Sequence, residues 1–280
     1  NTTSHPDLRT GWNVIADNRI HHIGQTYHAA TGIFLQDSGS NRITHNEISH
    51  TYYSAITVGW VWGYRPSVST HNEISFNHIH DVGQGMLSDM GGIYHLGVAP
   101  GTVIRNNLIH DVNSHGYGGW GIYTDEGSSH LLIENNIAYN TKFSPFDQHY
   151  GRWNIIRNNI FALGREDLFR RSQTEEHISF FVERNIFYWE GDTSLLAGRW
   201  EDRTYMWRPG KPRQDLVQDH ETHRFDWNLY WNPDKPREEV RFVDLTWDGW
   251  QEKGQDRHSV YADPGFADPA ESGASTGKSS

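Results

Sequence analysis

Short apolar clusters recur along this chain at a nearly constant spacing, and an asparagine stands at the start of many of them. These asparagines are Asn18, Asn46, Asn77, Asn107, Asn136, Asn159, Asn185 and Asn228. The steps between them are 28, 31, 30, 29, 23, 26 and 43 residues. Sequence periods of roughly 20 to 50 residues are typical of proteins built from stacked repeats. The spacing therefore predicts a solenoid.

Within each repeat the pattern favours strands. Segments such as GIFLQ, SAITVGW, GGIYHL, WGIYTD and WNIIRNN are rich in β-branched and aromatic residues and are separated by Gly, Asn and Ser. No helical period of useful length appears, and the frame of leucine-rich repeats is missing. We therefore predict an all-β, right-handed parallel β-helix with about 23 to 31 residues per coil. Its asparagines should stack as one hydrogen-bonded ladder.

The ends of the chain depart from this period. We expect one domain over residues 1–266 and a low-complexity, disordered tail over 267–280. The long step before Asn228 predicts a loop insertion near 190–224, folded over one face because it contains Trp200 and Trp207. Residues 240–251 are predicted to form a last strand and a short helix. Since no cap for the first coil is evident, we expect the chain to be part of a longer protein.

Two neighbouring repeats share an apolar frame but differ at one place. Gly, Ile and Tyr at 92–94 align with the same three residues at 121–123, an offset of 29. Asp125 and Glu126 then stand where the first repeat has Leu and Gly at 96–97. Acid gained at one position of an otherwise similar repeat suggests chemistry there.

Aligned coils place the candidate residues in columns. Strand alternation predicts an inward column of Ile33, Ile56, Ile93, Ile122 and Phe146, and an outward column of Phe34, Thr57, Tyr94, Tyr123 and Asp147. Asp125 and His149 fall two positions further along, facing solvent on adjacent coils with Cβ atoms about 5 Å apart. A carboxylate beside a histidine on a rigid strand is a plausible acid–base centre. The catalytic candidates are Asp89, Asp125, Glu126 and His149.

The distance between Asp89 and Asp125 does not follow from the strand alignment alone. It lies seven positions earlier in its coil than Asp125 does in the next, an extended path of about 23 Å. A turn must fold that path back if the two carboxyl groups are to cooperate. Otherwise Asp89 is a turn residue before Gly91, and Asp125 or Glu126 with His149 is the better centre. The non-catalytic alternative is that Asp125 and Glu126 are a solvated acid pair and His149 is a structural partner of Asp125.

Aromatic and polar residues around these acids are candidates for sugar binding. They are Trp60, Tyr94, Trp120, Tyr123, Asp147, Gln148 and Tyr150. Tyr and Trp offer flat apolar faces with a polar edge, on which a sugar ring can stack. We expect Tyr94, Trp120 and Tyr123 to be solvent-accessible around a cleft, although packing under loops is an alternative for Trp60 and Trp120.

Composition narrows the possible partners. The chain of 280 residues has a formal net charge of -11, which argues against a nucleic acid or an anionic membrane. No apolar run approaches the ~18 residues of a membrane span. With no cysteine, disulfide and thiol chemistry are excluded. We expect a secreted or periplasmic bacterial protein that acts as a monomer without a cofactor; a metal site at Asp125, Glu126, Asp147 and His149 is the less favoured alternative.

Several longer phrases indicate a family. SDMGGIYHLG, VIRNNLIHDV, YGGWGIYTDEGSS, FDQHYGRWNIIRNNIF and GQDRHSVYADPGF resemble bacterial β-helix proteins of glycoside hydrolase family 141, over residues 75–266. That resemblance implies hydrolysis of plant cell-wall glycans, such as xylan or fucosylated pectic chains, and assigns the catalytic pair to Asp89 and Asp125. The chain departs from the family in being shorter and in carrying Asp147 where His is expected.

The leading hypothesis is therefore a glycoside hydrolase acting through paired carboxylates on a polysaccharide or oligosaccharide. A polysaccharide lyase or epimerase is the alternative among enzymes, with Arg152 and Arg157 as the nearest cations for a uronate. The alternative from another class is a carbohydrate-binding β-helix without catalysis, because this fold hosts lyases, hydrolases, esterases and adhesins.

Overall fold

The computed structural model describes residues 8–200, 203–206, 214–217 and 221–266. Nearly all regular structure in this part of the chain is β, and it is arranged in three parallel sheets that wind around one core. Most coils contribute one strand to each sheet. This arrangement confirms the predicted parallel β-helix.

The three sheets are named by their size. The eight-stranded sheet contains β2 (Val14–Ala16), β6 (Arg42–Thr44), β9 (Glu73–Ser75), β12 (Val103–Arg105), β15 (Leu132–Glu134), β18 (Asn154–Arg157), β21 (Phe180–Glu183) and β26 (Arg224–Asp226). The nine-stranded sheet contains β3 (Arg19–His21), β7 (Glu47–Thr51), β10 (His78–Val82), β13 (Leu108–Val112), β16 (Ile137–Thr141), β19 (Ile160–Ala162), β22 (Ile186–Tyr188), β27 (Leu229–Trp231) and β30 (Val260–Tyr261). The seven-stranded sheet contains β4 (Ile33–Gln36), β8 (Ile56–Gly59), β11 (Gly91–Val98), β14 (Trp120–Ser129), β17 (Phe146–Gln148), β20 (Asp167–Arg171) and β23 (Ser194–Gly198).

The asparagine ladder forms the corner between the eight- and nine-stranded sheets. Each side-chain amide donates to the Oδ1 of the asparagine in the next coil, from Asn18 through to Asn228, at 2.9 to 3.2 Å. The residue before each asparagine is left-handed, with φ between 54° and 62°. Since that conformation costs a residue with a Cβ about 1–2 kcal/mol, the hydrogen bonds of the ladder offset the strain of the corner. The predicted single column is confirmed.

The interior is filled by stacked apolar columns, one for each sheet. The column of the eight-stranded sheet runs through Ile43, Ile74, Ile104, Ile133, Ile156, Val182 and Phe225, all fully or almost fully buried. In the seven-stranded sheet the predicted inward column, Ile33 to Phe146, is also confirmed and continues to Phe169. The core changes from isoleucine to phenylalanine toward the last coils, where Phe146 stacks on Phe169 at 4.7 Å.

The last coil is covered by the segment that follows it. A hairpin of β28 (Arg241–Phe242) and β29 (Leu245–Thr246) leads into α1 (Trp247–Glu252), after a 3-10 turn at Arg237–Glu239. Trp247 and Trp250 of α1 are buried against the core. The predicted strand and helix are thus a hairpin and a helix.

The predicted insertion at 190–224 is only partly correct. Ser194–Gly198 is not inserted, because it is β23 of the seven-stranded sheet. The departure from the coil begins after it and includes an antiparallel pair, β24 (Arg203–Met206) and β25 (Gln214–Val217). Trp200 is buried in the core rather than lying over a face. Trp207 and the predicted tail at 267–280 lie outside the described residues.

One further strand pair lies at the other end of the described chain. There β1 (Thr10–Gly11) pairs with β5 (Ser38–Gly39) beside the first coil.

Candidate active site

The candidate site lies on the outer face of the seven-stranded sheet. The register aligns Tyr94 with Tyr123 and Tyr123 with Asp147, and it places Asp125 beside Leu96. The columns predicted from the sequence are therefore correct. His149 follows the end of β17, where its backbone N–H donates to the carbonyl of Thr124.

A loop over residues 60–68 forms one wall of the site, and two glycines allow it to lie there. The N–H of Gly63 donates to the carbonyl of Glu126 at 3.3 Å. A Cβ on Gly97 would stand 2.2 Å from the carbonyl oxygen of Val61, and one on Gly127 would stand 2.2 Å from that of Gly63. Both glycines also have positive φ, at 96° and 76°. The ends of β11 and β14 thus carry glycine because the loop crosses directly over them.

Asp125 is buried, with 6% of its surface exposed, and both carboxyl oxygens have a partner. The hydroxyl of Tyr94 lies 2.5 Å from Oδ2, and Nδ1 of His149 lies 2.8 Å from Oδ1. Burial by itself would raise the pKa of Asp125, but the hydrogen bonds from His149 and Tyr94 outweigh it and lower that pKa. Asp125 is therefore held as the carboxylate.

The pKa of Asp89 is shifted in the opposite direction to that of Asp125. It stands in the turn before β11, with φ at 56°, and its N–H donates to the carbonyl of Tyr117. Burial, with the charge of Asp125 as the second cause, raises the pKa of the Asp89 carboxyl. Tyr53 donates to its backbone carbonyl at 2.9 Å and holds the turn against the sheet.

Tyr123 joins the two acids. Its hydroxyl donates to Oδ1 of Asp89 at 3.3 Å and also lowers the pKa of Asp125 by hydrogen bonding. The two carboxyl groups are close enough for the charge of Asp125 to raise the pKa of Asp89. The structure thus brings Asp89 and Asp125 together, and the seven-position offset along the strands is bridged by the turn and by the length of the tyrosine side chain.

His149 is held from both sides of its ring. Nδ1 contacts Asp125, and Nε2 lies 2.8 Å from the side-chain amide of Gln173. Burial disfavours the imidazolium, yet the hydrogen bond and the charge of Asp125 raise the pKa of His149 overall. Since a side-chain amide can offer either its oxygen or its nitrogen, Gln173 fits both protonation states of the ring.

The expected exposure of the aromatic residues is wrong. Tyr94, Trp120 and Tyr123 are each 4% exposed and form a buried cluster with Leu96. Tyr94 and Tyr123 pack at 4.6 Å and Tyr123 and Trp120 at 4.2 Å between ring centroids. These rings pack against one another on the sheet, so they form the floor of the site, and the hydroxyls of Tyr94 and Tyr123 position the carboxylates. Asp125 points outward as predicted, but the same cluster shields it from the solvent it was expected to face.

Asp147 and Gln148 do not lie where substrate-binding residues were expected. Asp147 is 0% exposed; Ser172 donates to its Oδ1 at 3.3 Å, and burial raises the pKa of the carboxyl well above its usual range. Gln148 points into the core, where it accepts a hydrogen bond from Asn154 and donates to the carbonyl of Gly151. Strand alternation explains the second error, because the neighbour of an outward residue must face inward.

The remaining predicted residues line the walls. Glu126 accepts a hydrogen bond from the hydroxyl of Tyr150 at 2.9 Å, on the side where the loop over 60–68 crosses. Trp60, at the start of that loop, is partly exposed and packs 5.3 Å from Tyr94. Glu126 therefore lies next to the pair of aspartates without bonding to either of them.

Sequence reasoning missed Tyr53, Tyr117 and Gln173. Each acts through a contact from another coil, and none stands in the columns that carry the acids. Tyr117 lies in the turn before β14 and forms a hydrogen bond with Asp89 that lowers the pKa of that carboxyl. The equivalence of the turns before β11 and β14 was the available signal, because it places Tyr117 close to Asp89.

Comparison with known sequences agrees with this architecture. The sequence model of the right-handed β-helix region matches residues 8–167, more than half of the chain. The protein therefore belongs to the right-handed β-helix family. No curated protein matches it closely. In the described part of the chain, no helix is long and apolar enough to cross a membrane. Nor do three or more Asp, Glu or His side chains there converge in a group that could hold a metal ion.

Proposed function

We propose that the protein is a glycoside hydrolase of the family 141 type, acting on a plant cell-wall polysaccharide outside the bacterial cell. The β-helix fold is consistent with proteins that act on polysaccharides, but the fold alone selects no reaction. The proposal therefore rests on the site. Xylan and fucosylated pectic chains are the substrate classes that the family resemblance suggests, and a monomer without a cofactor suffices for the reaction.

The observation that carries the proposal is the opposite perturbation of two neighbouring carboxyl groups. The pKa of Asp89 is raised and that of Asp125 is lowered, and Tyr123 interacts with both. Glycosidases separate their roles in this way, with one carboxyl group kept protonated and its neighbour ionised. Carboxyl separations of about 5–5.5 Å serve retention and about 6.5–9.5 Å serve inversion.

In the proposed reaction Asp89 is the general acid. It donates its proton to the glycosidic oxygen as the bond to the anomeric carbon breaks. Asp125 is the carboxylate that activates water or attacks that carbon from the other side. The hydrogen bonds from Tyr94 and His149 keep Asp125 ionised and fix its direction. His149 is thus a positioning residue.

The test is release of reducing ends from a panel of xylan, pectin and fucosylated oligosaccharides. We expect the wild-type protein to cleave one class, and Asp89→Asn to reduce kcat on that class by about 10²–10⁴-fold, because the amide has no proton to donate. Asp17→Asn is the matched control. Asp17 is an exposed aspartate with φ at 58°, a conformation that asparagine also tolerates.

Three results would contradict the hydrolase. Full activity in Asp89→Asn would show that Asp89 is not the general acid. Products that absorb in the ultraviolet, as an unsaturated uronate does, would indicate a lyase. Binding of a glycan with no cleavage by the wild-type protein, under conditions where Asp17→Asn binds equally well, would leave a carbohydrate-binding β-helix.

A further inference from the structure

Three aromatic side chains beside the candidate site have no role in holding the carboxyl groups. Phe34, Trp60 and Trp62 form a row, here called the aromatic row, with ring centroids 5.1 Å apart for the first pair and 5.8 Å for the second. Phe34 and Trp62 are each 46% exposed, and Trp60 is partly exposed. Large exposed rings grouped in this way are characteristic of binding surfaces.

The aromatic row is continuous with the acids. Trp60 lies 5.3 Å from Tyr94, and the hydroxyl of Tyr94 contacts Asp125. A ligand stacked on the row would therefore extend directly to the carboxyl groups. The change from half-exposed rings to rings that are 4% exposed occurs at Tyr94, where the structural floor of the site begins.

The backbone that carries the aromatic row is held in place. Phe34 stands on β4, and the N–H of Trp60 donates to the carbonyl of Leu96 at 3.1 Å. The carbonyl of Trp62 accepts a hydrogen bond from Nε of Arg65 at 3.2 Å. The next residue, Gly63, donates its N–H to the carbonyl of Glu126. Rings carried on a fixed backbone lose less conformational freedom on contact with a ligand than rings on a mobile loop, so stacking on them is effective.

The dimensions fit a chain rather than a single sugar. Phe34 shares the outward column of Thr57, Tyr94 and Tyr123, so it stands three strands away from Tyr123. At about 4.8 Å between strands, the row and the acids span about 14 Å along the axis of the coil. A sugar unit is about as long as one strand spacing, so the surface accommodates roughly three units on one side of the scissile bond.

Charge favours a neutral chain. Two cations next to the acids are already paired, His149 with Asp125 and Arg170 with Asp167, and Arg65 beside Trp62 donates through Nε to the carbonyl of that residue. Lys142 donates to the backbone carbonyls of residues 114, 115 and 116. A uronate chain would bring additional negative charge toward Asp125 and Glu126.

The geometry points to an extended subsite on the aromatic row, which binds roughly three units of a neutral glycan and aligns the chain parallel to the coil axis. This inference rests on the proposed function for its orientation relative to the scissile bond. The stacking surface itself is defined by Phe34, Trp60 and Trp62.

The experiment measures equilibrium binding by calorimetry, so it does not depend on cleavage. The probes are xylo-oligosaccharides and fucosylated neutral oligosaccharides of two to six units, with oligogalacturonates of the same lengths as the charged comparison. The proteins are wild type, Phe34→Ala, Trp62→Ala and Trp153→Ala. Trp153 is the matched control because it is 45% exposed and stands before β18 of the eight-stranded sheet, away from the row.

We expect the affinity of the wild-type protein for one neutral series to increase up to about four units. Trp62→Ala should weaken binding of the longer members about tenfold and of the two-unit member much less, whereas Trp153→Ala should leave the series unchanged. Oligogalacturonates should bind more weakly at every length.

The inference is overturned by unaltered binding in both Phe34→Ala and Trp62→Ala, by tighter binding of oligogalacturonates, or by no binding of any neutral probe. Its failure is distinguishable from failure of the hydrolase. If affinity falls in Phe34→Ala or Trp62→Ala but the wild-type protein cleaves no glycan, the subsite is supported and the hydrolase proposal is wrong. If the protein cleaves a glycan and neither Phe34→Ala nor Trp62→Ala changes binding or cleavage, the hydrolase is supported and the subsite proposal is wrong.

Discussion

The asparagine ladder and the outer face of the seven-stranded sheet are both stacks of side chains along the coil, but they are built in opposite ways. The ladder repeats one residue eight times, and each member bonds to an identical neighbour. Along the seven-stranded sheet the corresponding column changes at nearly every step, from Phe34 to Thr57 to Tyr94 and on to Asp147. Identical neighbours satisfy each other, whereas different neighbours can perturb one another's protonation.

This contrast shows where a repeat protein can place chemistry. In the ladder, changing one amide would leave two neighbours with buried groups unsatisfied, so substitution is costly. On the outer sheet face the backbone register holds whatever the side chain is, as the alignment of Leu96 with Asp125 shows. Function is therefore free to vary on this face while the ladder maintains the stack. Four predictions test this division.

The largest expected effect is on catalysis. Asp125→Asn keeps the shape of the side chain but removes its charge, so kcat should fall by about 10²–10⁴-fold on the glycan that the wild-type protein cleaves. The midpoint of urea unfolding should shift less than in any variant of a central ladder residue. Steady-state kinetics and unfolding curves measure the two quantities. A variant that keeps its activity would show that the acid at this position is not the reactive group.

The second effect is on stability, in the other region. Asn136→Ala removes the acceptor of Asn107 and the donors to Ile104 and Asn159, so the free energy of unfolding should fall by about 3 kcal/mol or more. Asn18→Ala, at the exposed first coil, should cost about 1 kcal/mol or less. Urea unfolding compares the two, and specific activity per folded molecule should stay unchanged in both. Equal losses would mean that the ladder is not a cooperative structural unit.

A smaller effect is expected for His149→Ala. Loss of the imidazole removes a hydrogen bond and a charge that lower the pKa of Asp125, so that pKa should rise. Since Asp125 must be ionised, the acid limb of the kcat/KM profile should move to higher pH, with a loss of about tenfold at its maximum. His28→Ala, at an exposed position beside Tyr52, is the control. An unmoved acid limb would assign His149 to packing alone.

The smallest effect concerns the proton of Asp89. The hydrogen bond from Tyr117 lowers the pKa of Asp89, so Tyr117→Phe should raise it. Because Asp89 acts when protonated, the alkaline limb of the profile should then move to higher pH by about a few tenths of a unit, with kcat nearly unchanged. Tyr27→Phe, at a tyrosine that is 80% exposed, is the control. Movement of the limb to lower pH would mean that Tyr117 stabilises the protonated acid instead.

The sequence predicted the coil and its register because both depend on period. Asn107 and Asn136, or Ile93 and Ile122, recur at the same offset, and strand alternation then assigns each residue to a face. The contact between His149 and Asp125 follows from that register. The burial of Tyr94 and Trp120 does not, because it results from aromatic packing across coils.

Strand positions alone also do not predict that Asp89 lies close to Asp125. Extended-chain distances predict separation, whereas the left-handed turn at Asp89 and the reach of Tyr123 remove it. The insertion near 190–224 was misjudged for a related reason. The 43-residue step from Asn185 to Asn228 does not show where the coil ends and the insertion begins, so spacing alone cannot identify Ser194–Gly198 as a sheet strand.

The loop over 60–68 has a consequence for how such a chain can change in evolution. A stack of coils can in principle gain or lose whole units, because each unit contacts only its neighbours. This loop instead spans several units: Trp60 is tied to β11, Gly63 to β14, and Tyr64 to Glu175 beyond β20. Removing any coil between β8 and β20 would displace every later attachment by one step. Duplication and deletion are thus confined to the coils outside that stretch, and the distance from the aromatic row to the acids is inherited as a fixed length.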